Sequence, residues 1–238
     1  MNPTTGSPIL VPNTDGFDPE STSNVLLEDS YFAVNDDAAA LKAGWDCAGY
    51  DLGIPTENVT IRNIVVWRGG GGISLGSEMS GGISNVYVEN VLLQYGSYGI
   101  QVKTGDTRGG YVKNVVFNNF TIVGTLKKAV CIDAFYGSPN PFCGDPAPVV
   151  PTQLDGILVS NVVTRASNLS LHLVGLEAAP TANVRLVNVT FNDKSLADCQ
   201  GNVWGTYENV SPMPPVECGL EEEVKNFLKR NQRLVFCN

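Results

Sequence analysis

The chain has 238 residues, 43% of them apolar and only 16% charged, with a net charge of −9. That length and composition can bury a sizeable core and exclude a charged disordered tail. No apolar run approaches the ~18 residues of a membrane span, and the acidic balance argues against a nucleic-acid binder, which carries a basic footprint.

Taken in chain order, the N-terminus Met1–Gly6 has neither the basic start nor the apolar core of a signal peptide. An acidic motif, Asn13-Thr14-Asp15-Gly16, follows. A pattern then recurs: Asn-Val, alternating apolar and polar residues, and a second short apolar run. It begins at Asn24 (NVLLEDSYF), Asn58 (NVTIRNIVV), Asn85 (NVYVENVLL), Asn114 (NVVFNNFTI), Gly156 (GILVSNVVT) and Asn183 (NVRLVNVTF). Each copy alternates with period two and is rich in β-branched residues, so each reads as a strand. A repeat of two short strands and turns predicts one rung of a parallel β-helix. Leucine-rich repeats are excluded by the missing leucine spacing and the missing helical half of each unit. Rungs stack at about 4.8 Å, so the leading asparagines are expected to form a ladder, each bonding backbone on the neighbouring rung. The longest insertion, Tyr136–Pro151, reads as a loop. The tail from Gly219 to Arg233 reads as a short helix capping the solenoid. Residues 1–238 read as a single domain, with no composition break.

Six cysteines, none in a CxxC pair, and a lone histidine, His172, make a zinc site of ordinary spacing improbable. An even cysteine count suits a secreted, disulfide-bearing protein; Cys131–Cys143 and Cys218–Cys237 are the locally plausible pairs among the 15 possible connectivities. Sequons at Asn58, Asn119, Asn168, Asn188 and Asn209 point to the same route and to a glycoprotein. A secretory signal is therefore expected to lie outside this chain.

The rung period brings acidic residues into phase. Asp36 follows Asn24 by 12 residues, Gly71 follows Asn58 by 13, and Gln101 and Lys103 follow Asn85 by 16 and 18. Asp15, Asp36, Asp37, the run Gly69–Gly72 and Lys103 are thus expected on one lateral face. Crowded carboxylates repel, and at least one should hold its proton near neutrality, as a general acid must. Rung stacking suits the ~6.5–9.5 Å separation used by inverting glycoside hydrolases. The glycine run is no phosphate loop, since no GK[ST] follows it. It reads as a close backbone approach or a tight turn. His172, in LSLHLVG, reads as structural, and Lys42 and Arg68 as solvated charges.

The stretches NTDGFDP, VNDDAAALKAG, GGISLGSEMSGG and YGIQVKT, in this order and spacing, resemble glycoside hydrolase family 28, the polygalacturonase family, over about residues 8 to 195. The resemblance implies a right-handed, single-stranded parallel β-helix of the all-β class and an inverting pectic hydrolase without metal or organic cofactor. It implies Asp36 as the acid that protonates the leaving oxygen, and Asp15 and Asp37 as the pair that activates water. Lys103 matches a lysine that binds a galacturonate carboxylate, and Tyr136 a tyrosine shaping the same subsite. The chain departs from the family pattern twice: Gly71 stands where a histidine is usual, and Gln101 where an arginine is usual. Gln101 can hydrogen-bond a carboxylate but lacks the charged fork of arginine; Arg108, in GDTRGG, is expected to offset that loss. Family domains carry further rungs before NTDG, so the chain reads as the C-terminal part of a longer domain. The expected partner is a galacturonan-type pectic polysaccharide in the cell wall, met by a secreted monomer. The alternative is a weakly active or inactive homologue that binds wall polysaccharide.

Overall fold

The computed structural model describes residues 11–137, 150–165, 167–191 and 196–223. Within them the chain winds as a parallel β-helix. The strands are β1 (Ser23–Ala33), β2 (Ala39–Leu41), β3 (Thr56–Leu75), β4 (Ile83–Leu93), β5 (Gly96–Lys103), β6 (Tyr111–Ile122), β7 (Thr125–Asp133), β8 (Gln153–Thr164), β9 (Ser167–Val174), β10 (Thr181–Phe191), β11 (Leu196–Gln200), β12 (Val203–Ser211) and β13 (Leu220–Glu222). A single helix, α1 (Asp46–Leu52), interrupts the series.

Every pairing is parallel, and the strands fall into two ladders. One stacks β1, β3, β4, β6, β8, β10, β12 and β13. The other stacks β2, the C-terminal part of β3, β5, β7, β9 and β11. β3 is 20 residues long because it runs through the glycines Gly69–Gly72 and joins both ladders.

The long strands are bent at asparagines in the left-handed region. Asn58, Asn63, Asn85, Asn90, Asn114 and Asn119 have φ between 55° and 58°. Asparagine tolerates this conformation better than other side chains with a Cβ. Each bend resets the alternation, so Arg62 and Asn63 both face out while Ile61 and Ile64 both face in. The inward residues stack on like residues of the next rung: Ile61 on Val88 and Phe117, and Ile73 on Ile100 and Val130. All six are fully buried.

The asparagine ladder forms, but amide to amide rather than amide to backbone. Asn58, Asn85 and Asn114 donate Nδ2 to the Oδ1 of Asn24, Asn58 and Asn85 at 3.5, 3.3 and 3.2 Å. A second ladder runs along the other corner. There Asn63, Asn90 and Asn119 donate to Asp29, Asn63 and Asn90 at 2.9, 3.0 and 2.7 Å. Asn188 and Asn209 extend it to the later rungs at 3.1 and 2.9 Å. Four of the five sequon asparagines are therefore ladder residues, and their recurrence has a structural cause that owes nothing to glycosylation.

Three local expectations are corrected. Cys218 pairs with Cys199, not with Cys237, because the 3-10 turn Val216–Cys218 packs beside β11. Cys131 is a free, buried thiol, so it has no bond to Cys143; Cys143 and Cys237 lie outside the described residues. The expected C-terminal helix does not begin at Gly219, since Leu220–Glu222 adds a strand to β12; residues 224–233 lie outside the described residues. Among the described residues no helix is long and apolar enough to cross a membrane.

Asn90 both donates and accepts in its ladder and holds φ at 57°. We expect Asn90→Ala to lose about 2–3 kcal/mol in urea unfolding, from two weakened hydrogen bonds and left-handed strain. Asn90→Gly should lose less, because glycine bears no such strain. Equal losses in the two variants would show that backbone strain contributes nothing at this corner.

Candidate active site

Asp15 to Pro19 runs as a rung of its own beside Asp37–Lys42. Gly16 N–H donates to Asp37 O at 2.9 Å, and Ala40 N–H to Phe17 O at 3.0 Å. Next in the stack, Ala38 N–H donates to Gly71 O at 3.0 Å. Asp15, Asp37 and Gly71 therefore occupy successive rungs of one face. Each of Asp15, Asp36 and Asp37 offers a carboxylate oxygen within 4.8 Å of the others. This is closer than the ~6.5–9.5 Å expected of an inverting pair, because the side chains of adjacent rungs turn toward each other.

Backbone fixes Asp36: Asn13 N–H donates to its Oδ2 at 3.1 Å and Asp37 N–H to its Oδ1 at 3.0 Å. Asp37 is buried and accepts a charged hydrogen bond from Lys103 Nζ at 2.8 Å. Lys103 lies two rungs away, on β5, so this bond must cross the rung that carries Gly71. A Cβ built at Gly71 would come within 2.1 Å of Asp37 Oδ1. The bare backbone at Gly71 is what leaves room for the Asp37 carboxylate in this arrangement. The neighbouring Gly70 lets the Asp36 backbone approach in the same way, with a Cβ there 2.9 Å from Asp36 Cα. None of Gly69–Gly72 has a positive φ; the run is an extended close approach between rungs, not a turn.

Lys103 also lies 5.5 Å from the centre of the Tyr136 ring, so the structure brings Tyr136 to this face. Gln101, two residues before Lys103 on the same side of β5, is 1% exposed. Its Oε1 accepts from Ser74 Oγ at 3.3 Å, while its Nε2 has no hydrogen-bond partner. Arg108, expected as an exposed cation facing substrate, is instead 4% exposed. Its Nη1 is 3.5 Å from buried Asp46 on α1, and its guanidinium stacks 5.5 Å from the Trp45 ring. It packs against Gly137, where a Cβ would sit 3.3 Å from its Nη2.

The sequence model for the glycosyl hydrolases of family 28 matches residues 2–208. The chain belongs to that family. It is 34% identical over 215 residues to a probable polygalacturonase of Vitis vinifera, covering 87% of this chain and 43% of the relative. It is 35% identical over 136 residues to a polygalacturonase of Ralstonia nicotianae, covering 56% of this chain and 24% of the relative. Among solved structures it superimposes on a hyperthermoactive exopolygalacturonase from Thermotoga maritima with a TM-score of 0.73 and 25% identity, over 84% of this chain and 44% of that one. The chain thus spans less than half the length of these relatives.

For this family-28 chain, two features of the site were not anticipated. The first is Lys42, which is no solvated bystander. Its Nζ lies 2.7 Å from Asp18, 3.7 Å from Glu78 and 3.8 Å from Asp15. Burial raises the Asp15 carboxyl above its ordinary value, and Asp18, Asp36 and Asp37 add repulsion that Lys42 only partly offsets. Within the cluster, Asp15 is thus a carboxyl whose ionisation its surroundings oppose. Burial alone would depress the Lys103 ammonium, but the charge and hydrogen bond of Asp37, helped by Tyr136 and Asp36, leave it above its usual value.

The second feature lies one to three rungs further along the same face. His172, buried rather than at the surface, sits between Asp133 and Asp198, its Nε2 3.3 Å from Asp133 Oδ2 and its Nδ1 3.0 Å from Asp198 Oδ2. Cys131 lies beside them, its thiol pushed up to about 12 by burial. Among the described residues, Cys131–Asp133–His172 and Asp15–Asp36–Asp37 are the two groups with converging ligand atoms. The carboxylate group is already attended by two ammonium groups, Lys42 and Lys103.

Two outcomes test this electrostatic account. Asp15 has a raised carboxyl, so its ionisation disfavours the folded state; that stability is intact below about pH 3.8 and lost as pH rises through the folded value. Asp15→Asn should therefore raise the melting temperature at pH 7 and leave it unchanged near pH 3; a fall at pH 7 would reject the account. Gly71→Ala should displace the Asp37 carboxylate and weaken its bond to Lys103. We expect about a 100-fold loss of hydrolytic kcat/KM with the β-helix circular dichroism retained.

Proposed function

We propose that this chain carries the catalytic face of a hydrolase that cleaves glycosidic bonds in a galacturonan-type pectic polysaccharide outside the cell. The carrying observation is the convergence of three aspartates with a lysine that reaches them across a glycine rung. Family membership and the polygalacturonase names of the relatives support the same substrate class.

In this reading Asp36 protonates the leaving oxygen while Asp15 and Asp37 orient and deprotonate water. The ammonium of Lys103 fixes the Asp37 carboxylate by a charged hydrogen bond at 2.8 Å. Lys103 spends one donor on Asp37 and has two left. Those donors and the Tyr136 ring form the proposed subsite for a uronate carboxylate, with Gln101 buried on the same strand. Arg108 is proposed as a positioning residue that holds the loop of Tyr136, not as a sugar contact. Inversion is proposed from the family resemblance, since the carboxylate separations fall below the usual inverting range.

A second assignment has a specific observation behind it. The raised carboxyl is that of Asp15, and its carboxylate lies within 4.8 Å of those of Asp36 and Asp37; the second assignment delivers the proton from Asp15.

Incubation with polygalacturonate should release new reducing ends, and the first sugar formed should have the opposite anomeric configuration by NMR. Asp36→Asn should lower the rate by about 10²–10⁴-fold with the fold intact. A wild-type rate in Asp36→Asn would reject its role as acid. An activated aryl galacturonide needs little acid assistance, so it should restore turnover in the variant that lacks the acid and not in the variants that lack a base. Restoration in Asp15→Asn alone would move the acid to Asp15.

A further inference from the structure

We propose that Cys131, Asp133 and His172 form a zinc-type divalent metal site, separate from the carboxylate cluster, that staples the rungs of β7 and β9. The topology places the ligands without any sequence motif. Cys131 and Asp133 are two apart on β7 and so share its outer face. His172 on β9 is the direct rung partner of Cys131, and Asp198 on β11 is the rung partner of His172.

The contacts of the imidazole select a metal. A neutral imidazole has one N–H and one lone pair, yet His172 faces a carboxylate at both nitrogens. If Nδ1 donates to Asp198, the Nε2 lone pair is aimed at an Asp133 oxygen, and two acceptors oppose each other unless a cation lies between them. The Nε2 to Oδ2 separation is 3.3 Å. Two ligands bound at ~2.0–2.1 Å to a tetrahedral zinc lie about 3.3 Å apart. The Cys131 sulfur is within 4.8 Å of the ligand atoms of both residues. Asp198, bonded to the far nitrogen of His172, is then the carboxylate that orients a metal-bound histidine.

Charge balance agrees. A thiolate, a carboxylate and a divalent ion sum to zero, as a site with two buried ligands requires. A proton on His172 would satisfy the two carboxylates but would leave the thiol without a role. The donor set of sulfur, imidazole and carboxylate favours zinc over magnesium or calcium, and the fourth position falls to water.

The test uses the full chain, folded, treated with chelator, loaded with zinc or cobalt(II) and dialysed. We expect about one zinc per chain and, at a hundredfold excess over the dissociation constant, a melting temperature about 5–10 °C higher than with chelator. The cobalt form should show a thiolate charge-transfer band in the near ultraviolet together with tetrahedral visible bands. Cys131→Ser should lose that band. Asp198→Asn, at a partly exposed position that leaves the three ligands in place, should keep the band and weaken affinity about 10–100-fold. Absence of bound metal from the wild-type chain would overturn the site in favour of an imidazolium held between two carboxylates. Metal bound without the charge-transfer band, or bound equally by Cys131→Ser, would overturn it in favour of a carboxylate site elsewhere. None of these readouts depends on hydrolysis.

Discussion

The structure depends on a repeated corner. At each rung an asparagine takes up left-handed backbone and turns the chain without a loop, and its amide bonds the asparagine above or below. A residue in that conformation ordinarily strains its Cβ; asparagine accepts it and adds a side-chain hydrogen bond in return. Because the corners are alike, the rungs superimpose, and the spacing between strands becomes a fixed ruler of about 4.8 Å along the molecule. The aliphatic stacks inside and the polar strip outside both follow from that ruler.

The catalytic face exploits one gap in the ruler. Side chains on neighbouring rungs would normally separate Asp37 from Lys103, which lies two rungs on. Gly71 removes the intervening side chain, and the ion pair closes across it. Asp15 enters from the preceding rung with Lys42 at its side. Its carboxyl is raised first by burial and then by repulsion from its neighbours, which one lysine, shared with Asp18 and Glu78, only partly offsets.

Much of this was legible in the sequence, for reasons that differ by element. The Asn-Val repeat announced the solenoid because corner chemistry and inward packing both recur at the rung period. The placement of Asp15, Asp37, Gly71 and Lys103 on one face followed from the same count. Three things were not legible. Arg108 was read as an open cation because sequence gives no sign of Asp46 and Trp45 closing over it from α1. Cys218 was paired with Cys237, as far from it in sequence as Cys199 is, and the packing of a 3-10 turn against β11 decides for Cys199. The environment of His172 was invisible because its neighbours come from two other rungs, at sequence separations no local motif encodes. The second asparagine ladder could have been found, since Asn63, Asn90 and Asn119 recur with the same spacing as the first.

A net charge of −9 opposes the polyanionic substrate proposed for this face, yet its outer strip answers the difficulty locally. Lys103 is the cation at its centre, and its partner Asp37 is almost fully buried, so the carboxylate's field is spent on the ammonium rather than on solvent. Salt screens the distant surface charges beyond about 8 Å, while the groups within the strip act at hydrogen-bond range. Along the strip, negative Asp15 and Asp37 precede positive Lys103, and Asp133 follows it one rung later, already engaged by His172. In the proposed reading a uronate carboxylate laid along the rungs meets the ammonium of Lys103, whose partner Asp37 is already hydrogen-bonded to it. Affinity for an anion in an acidic protein then rests on donors within hydrogen-bond range rather than on net charge.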